Sequence, residues 1–354
     1  MTNKTKATIL DVAKMAGVSK GTVDRVLHNR GDVSTKNELK VKQAMKELEY
    51  EPNIYASMLA KMKDITIACI LPSYIEGDFW FSISRGISKI SDEMHSQNVT
   101  LTTYYYDQYN LTSFRKACED LMEDKPDGVI IPPMFKKETM LFVERLHDSN
   151  IPYVYIDTKV EDENYLAYFG MHMYKSGYLC AHLMTEKGFD YQKDEIVIFR
   201  IHRDPDGLSD PMINRRCGFL DYLTESFPHC TVHTVFINPE DPEGITMVMD
   251  QFFKDHPNVK HITTFSSRIH LISSYFLKHP VPGCTIIGYD SLDRNMADLK
   301  SGNISVLIAL HIADLPKHAV NALVNYIIKK ERPVRKDNYI HMDILTRLNI
   351  DDYH

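Results

Sequence analysis

Apolar positions follow two different rhythms along this chain. Over the first fifty residues they recur at helical spacing. Ile9, Val12, Ala13 and Ala16 fall at i, i+3, i+4 and i+7 on one face of a short helix, with Thr8 as its expected N-cap and Asp11 three residues on. Gly17 ends that helix in a turn, and Ser19 is placed to cap a second helix. The inward positions of this second helix are Val23, Val26 and Leu27, which leaves Lys20, Gly21, Thr22, Asp24 and Arg25 on the outer side. Asn29-Arg30-Gly31-Asp32 reads as a turn, Ser34 as the cap of a third helix carrying Leu39, Ala44, Met45 and Leu48, and Pro52 as its stop. From Ile65 onward, short β-rich apolar runs alternate with amphipathic helices. Strands are expected at Ile65–Leu71, Thr100–Tyr106, Gly128–Ile131, Tyr153–Ile156, Ile196–Arg200, Thr231–Ile237, His261–Phe265, Thr285–Gly288 and Ser305–Ala309. Such alternation predicts parallel sheets with helices on both faces, and nine strands exceed one compact sheet of this kind. The expected fold is an all-α helix-turn-helix head on an α/β body of two doubly wound lobes.

Charge sharpens the division. The 354 residues carry a net charge of −7, unevenly spread. Residues 1–63 hold twelve Lys/Arg against seven Asp/Glu, a balance of +5, which leaves −12 for residues 64–354. A small basic head on an acidic body suits a nucleic-acid-binding module joined to something that avoids nucleic acid. Six scattered cysteines form no C-x-x-C pair, which argues against a zinc ribbon or a disulfide framework and for reduced cytosolic thiols. No signal-peptide pattern or membrane-length apolar run is read, so a cytoplasmic protein without a membrane partner is expected.

The head narrows further at the level of motif. The pattern D-V-A-x-x-A-G-V-S over Asp11–Ser19 is followed by T-V-x-R-V-L over Thr22–Leu27, then Val33-Ser34, then Y-x-P-N over Tyr50–Asn53. Together they closely resemble the lactose-repressor (LacI/GalR) family of bacterial transcription regulators. The resemblance implies DNA contacts from Thr8, Ser19, Lys20, Gly21, Thr22, Asp24, Arg25, Asn29 and Asn53. It also implies a hinge helix after Asn53, with Ala56 as the small residue and Leu59 as the leucine that enters the minor groove. An apolar wedge of that kind unstacks a base step, at a cost of about a few kcal/mol that wider contact offsets. The expected organisation is a head over 1–53, a hinge over 54–63, a two-lobed effector-binding and dimerisation domain over 64–345, and a tail over 346–354. Asp24 stands where most of the family has serine. A carboxylate there must point away from phosphates or accept from cytosine N4, so an altered operator is expected.

In open parallel sheets, ligands bind outside the carboxyl ends of the strands. Asp157 and Asp290 follow two expected strands, and each carboxylate can accept from vicinal hydroxyls. The reading as turn or N-cap residues stays open beside that one. Asp78-Phe79-Trp80 follows the first strand, where the family places aromatic residues over a sugar ring; packing in the lobe core is the alternative. Arg215 matches the family's R-x-x-G-F arginine, a five-donor fork. His172, Ser266 and Leu310 align where relatives carry other polar or acidic groups, which puts an ordinary hexose or pentose in doubt.

Rival classes are weaker. G-x-G-x-x-G, the P-loop, G-x-S-x-G and H-E-x-x-H are all missing, and sixteen histidines show no metal-ligand spacing, so neither catalysis, a cofactor nor a metal is expected. A transport protein would not carry the head. A body that only dimerises and senses nothing remains the alternative. The resemblance implies a homodimeric repressor on a pseudo-palindromic operator, controlled by a carbohydrate-like effector. Leu59→Ala should weaken operator binding by about tenfold or more while the protein stays folded, given the cost scale of base-step insertion. A gel shift showing wild-type affinity for the folded variant would contradict the hinge assignment.

Overall fold

The structure, a computed structural model, describes residues 9–27, 33–48, 64–186, 188–201 and 212–353. The chain divides into two compact units, Met1–Lys63 and Asp64–His354. In the first, helices α1 (Ile9–Ala16), α2 (Lys20–Leu27) and α3 (Thr35–Glu47) enclose a core of Val12, Ala13, Ala16, Val23, Val41 and Ala44. Val18, Val26, Leu27, Met45 and Leu48 pack around it. Gly17 takes φ 64° in the turn between α1 and α2. Both expected caps within the described residues form: Ser19 Oγ accepts from the Thr22 amide at 3.2 Å, and Ser34 Oγ from the Asn37 amide at 3.4 Å. Leu39 departs from expectation, being 64% exposed while Val41 is fully buried. The cause is angular: Val41, Ala44, Met45 and Leu48 repeat at i, i+3, i+4 and i+7, and Leu39 lies two residues, about 200°, off that stripe. Thr8, Asn29, Asn53, Ala56 and Leu59 lie outside the described residues.

The second unit holds two six-stranded sheets with the same strand plan. The first runs β11-β5-β4-β3-β1-β2 and the second β12-β10-β9-β8-β6-β7. In chain order, lobe 1 is built from β1 (Ile65–Pro72), α4 (Phe79–His95), β2 (Val99–Tyr106), α5 (Leu111–Glu123), β3 (Gly128–Ile131), α6 (Lys136–Asp148), β4 (Tyr153–Ile156) and β5 (Ala167–Gly170). Lobe 2 follows with α7 (Met173–Thr185), β6 (Glu195–Ile201), α8 (Ile213–Ser226), β7 (Val232–Ile237), α9 (Pro242–Asp255), β8 (Val259–Thr263), α10 (His270–Lys278), β9 (Thr285–Tyr289), α11 (Asp293–Ser301) and β10 (Val306–Ala309). Helix α12 (Leu315–Lys329) and β11 (Asp337–Tyr339) return to lobe 1, and β12 (Asp343–Leu345) ends in lobe 2. The chain therefore passes between the lobes three times, after β5, after β10 and after β11.

Central strands read as near-continuous apolar runs because both faces are covered, as in Ile65-Thr66-Ile67-Ala68-Cys69-Ile70-Leu71. Edge strands β2 and β7 are only half-buried. Helix α4 buries Ile83, Ile87, Ile90 and Met94, an apolar stripe at helical spacing. Every strand expected from the sequence is present, with ends moved by up to two residues. Three more, β5, β11 and β12, are only three or four residues long, and β12 pairs antiparallel to β10.

Helices α7 and α8 cross where Gly177 faces Gly218. A Cβ on Gly177 would overlap the Arg215 carbonyl, and one on Gly218 the Tyr174 carbonyl. Both are rigid backbone atoms, so neither obstacle can swing aside. Gly218→Ala should cost at least about 2 kcal/mol of stability, the scale of overpacking a close contact, read as a lower urea midpoint; an unchanged midpoint would show that the crossing can yield.

Candidate functional site

Strands β4 and β9 hold equivalent places in the two lobes, and each runs straight into an aspartate. Asp157 and Asp290 both take left-handed backbone conformations, φ 65° and 67°. Their amides donate to the Phe169 carbonyl in β5 and the Ile308 carbonyl in β10, each at 3.0 Å. Left-handed φ is uncommon outside glycine, though less so for aspartate, and here it recurs at two matched strand ends. Neither residue caps a helix: α11 begins at Asp293 with Leu292 before it. Both side chains are buried.

Between them lies Arg215, on the first turn of α8 and 3% exposed. Nε donates to Ser176 Oγ at 3.2 Å and Nη1 to the Phe265 carbonyl at 2.6 Å. The remaining contacts are to thioether sulfurs, Met212 Sδ at 3.5 Å and Met171 Sδ at 3.4 Å, which are weak acceptors. Beneath the guanidinium the Tyr289 ring lies 4.0 Å from Cζ. Met171 belongs to the lobe 1 side of the first crossing and Phe265, Tyr289 and Asp290 to lobe 2, so one arginine touches both lobes.

Electrostatics follow from burial. Loss of water pushes the Asp157 carboxyl up to about 7; Arg215 pulls it down and Asp290 pushes it up again. Burial likewise lifts Asp290 to about 6 against the pull of Arg215. Two carboxylic acids are thus poised to change charge near neutrality beside a permanent cation. Supports fix them in place. Tyr168 donates its hydroxyl to the Asp157 and Met171 carbonyls at 2.8 and 2.9 Å, and the Tyr289 hydroxyl reaches the Ser176 carbonyl at 3.0 Å. Fully buried Asn295 donates through Nδ2 to the carbonyls of Ser267, Tyr289 and Asp290. Across the lobes, Arg268 Nη1 donates to the Tyr109 hydroxyl at 3.4 Å.

The other expected positions are more mixed. Asp78 precedes α4 and accepts from the Ile75 amide at 3.3 Å, closing a turn at the carboxyl end of β1. Phe79 is half-buried and meets the buried Trp80 edge-on at 4.9 Å. His172 is the N-cap of α7: its Nδ1 accepts from the Lys175 amide at 3.3 Å and its ring packs 4.4 Å from Tyr339. Burial lowers the His172 pKa, with Lys175 adding to the effect. Ser266 Oγ accepts from the Arg268 amide at 3.1 Å, one residue beyond the carbonyl that holds Arg215. Leu310, 2% exposed, sits at the second crossing. In the head, Lys20, Gly21 and Arg25 are exposed on α2, and Thr22 and Asp24 are half-buried. Tyr168, Met171, Ser176 and Asn295 escaped the sequence reading. Tyr168 lies on a strand too short to signal itself, and the others act through contacts that no local pattern encodes.

Comparison with known proteins identifies both parts of the chain. Residues 8–53 match "Bacterial regulatory proteins, lacI family", and residues 67–331 match "Periplasmic binding protein domain". A solved structure from Bacteroides fragilis, assigned as a LacI transcriptional regulator, is 32% identical, covers 82% of this chain and all of that one, and superposes with a TM-score of 0.76. The chain belongs to the lacI family of bacterial regulatory proteins. Among its lacI-family relatives, the HTH-type transcriptional regulator DegA of Bacillus subtilis is 34% identical over 148 residues, 42% of each chain. The ribose operon repressor of Halalkalibacterium halodurans is 27% identical over 290 residues, 80% of each. The chain spans about half or less of the length of the first curated relatives it matches.

Between about pH 4 and pH 7 the folded body keeps a proton on Asp157 that an unfolded chain has already released. Raising pH through that window therefore works against the folded state. Wild-type stability should fall relative to Asp157→Asn between pH 5 and pH 7.5, on the order of a few kcal/mol, as read by urea midpoints at the two pH values. Parallel pH profiles for the two proteins would contradict the raised carboxyl.

Proposed function

We propose that this protein is a homodimeric, cytoplasmic repressor of transcription whose hold on operator DNA is set by a small carbohydrate-like molecule bound between the lobes. The observation that carries the reading is the convergence of Asp157 and Asp290, from matched strand ends of the two lobes, on one buried arginine. Carboxylates accept from vicinal hydroxyls, and a guanidinium donates to a ring oxygen, hydroxyl or carboxylate. Support for the ligand class comes from the ribose operon repressor and sucrose operon repressor among the relatives. Asp78, Phe79 and Trp80 would cover an apolar ring face; His172, Ser266 and Leu310 would shape the rest of the wall. A buried leucine and a histidine already engaged as a helix cap offer fewer hydroxyl partners than a sugar with every carbon oxygenated would use. The fitting ligand is a deoxygenated or otherwise modified sugar.

In the head, Lys20, Gly21, Thr22, Asp24 and Arg25 would face base edges and phosphates, with Thr8, Ser19, Asn29, Asn53, Ala56 and Leu59 completing the contact set. An eight-residue recognition helix spans one half-site, which is why two copies on a pseudo-palindrome are proposed. A ligand moves operator affinity only by preferring one lobe arrangement over another, so contacts made to both lobes at once determine the size of the switch. The reading is of a binding protein, with no turnover of the ligand.

Arg215→Lys keeps the charge but loses the fork. It should remove at least about tenfold of the ligand's effect on operator affinity, a loss of about 1.4 kcal/mol, and leave ligand-free operator affinity within a few-fold of wild type. Fluorescence anisotropy with labelled operator and a panel of sugars checks this, and an undiminished response would place the effector elsewhere. Operator affinity should also drop by about 10³–10⁵ between 50 and 200 mM salt if both heads engage phosphates; a flat salt titration would reject the basic head as the contact surface.

A further inference from the structure

At the other end of the lobe 2 sheet, away from the strand ends that carry Asp290, three potential metal ligands meet. Glu195 is the first residue of β6, His233 the second of the neighbouring edge strand β7, and His256 the residue that ends α9. His233 Nε2 lies 2.6 Å from Glu195 Oε2, and His256 Nδ1 lies 3.9 Å from the same oxygen. The two imidazole rings stand 4.1 Å apart, and one ligand atom from each of the three residues falls within 4.8 Å of the others. All three are half-buried, open enough for an ion to enter. Phe252 forms an apolar floor, 5.5 Å from the His233 ring and 4.9 Å from His256.

From this geometry we infer that lobe 2 carries a site for a divalent transition metal, of which zinc is the best fit. Two imidazoles and one carboxylate make a borderline nitrogen and oxygen ligand set, which suits zinc and its neighbours over calcium or magnesium. Zinc sits about 2.0–2.2 Å from such ligands, so ligand atoms must stand about 3.2–3.6 Å apart. The present spacings to Glu195 Oε2, 2.6 and 3.9 Å, fall on either side of that range. The backbone beneath is already fixed: the Glu195 amide donates to the Asn258 carbonyl, the Ile196 amide to Thr231, the His256 amide to Phe252 and the Val259 amide to His256. Ligation needs neutral imidazoles and an ionised carboxylate, so the metal would replace the present Glu195–His233 hydrogen bond. Three protein ligands leave a further position for water. Since β7 is the outer strand, paired only to β6 within the sheet, a bound ion would clamp the edge by joining β6, β7 and the end of α9. The ligands lie 38 and then 23 residues apart along the chain, which is why no sequence spacing signals them.

Cobalt(II) provides the direct probe. The metal-stripped full-length protein should bind one equivalent with visible d–d bands of a nitrogen and oxygen site, zinc should displace it, and zinc should raise the melting temperature. His233→Asn and His256→Asn should each weaken cobalt binding by at least about the 10–100-fold that losing even an outer-sphere partner costs, and both should lose the zinc-dependent thermal shift. His147→Ala, on the exposed side of α6 in lobe 1, should change neither. If His233→Asn fails to fold, His256→Asn decides the matter, because it lies at a helix end on the surface side. No stoichiometric spectrum in the wild type, a thiolate charge-transfer band, or unchanged affinity in a folded His256→Asn protein would each overturn the site.

Discussion

A guanidinium that cannot lose its proton has been taken out of water at Arg215, and the body is arranged around that fact. Burying a cation costs several kcal/mol unless charge and hydrogen bonds compensate. Compensation here comes from both lobes: Ser176 and the Phe265 carbonyl hold the fork, Tyr289 lies beneath it, and Asp157 and Asp290 supply opposite charge. The arginine can reach this place only because α7 and α8 cross at two residues without side chains. Those glycines thus serve electrostatics as much as packing. Meanwhile Met171 and Met212, soft and weakly accepting, leave strong donors only lightly engaged, which is the condition a ligand's oxygen atoms would exploit.

Repeating one strand plan in two lobes explains the symmetry of the site. Equivalent strands end in equivalent aspartates with the same left-handed φ and an equivalent amide partner on the next strand, so the two acids come close enough to feel each other and Arg215. Near neutrality Asp290, with its midpoint about 6, is mainly the carboxylate, while Asp157, at about 7, is divided between its two forms. A ligand that donates hydroxyl protons to both would favour the charged forms and release protons as it binds, whereas one that accepts from them would keep them protonated. On the proposed reading, the binding energy would be tied to one lobe arrangement, with the three chain crossings as the joints over which that preference spreads.

Periodicity carried the head and nine strands because both rest on local patterns: a repeated apolar stripe in one, β-branched runs between helices in the other. Leu39 misled because a leucine in a helix invites burial whatever its angle, while the smaller Val41 occupies the inward position. Strand β5 is four residues without a β-branched run, and β11 and β12, three residues each, are defined by partners at least 34 residues away. Within the site, Asp157, Asp290 and Arg215 were legible from strand ends and a short motif. The reason for the motif's glycine was not, since it lies in a carbonyl on another helix. His172 caps α7, a role visible only once the start of that helix is known.

The charge state of the paired acids tests the account most directly. Carboxyl carbon shifts of selectively labelled aspartate, followed by NMR across pH 3–9 in the full-length protein and assigned with Asp157→Asn and Asp290→Asn, would report each midpoint. The account predicts two late titrations in the free protein, near 7 for Asp157 and near 6 for Asp290. Both acids titrating in the ordinary aspartate range around 4 would contradict it, because burial would then not outweigh the pull of Arg215 on the pair.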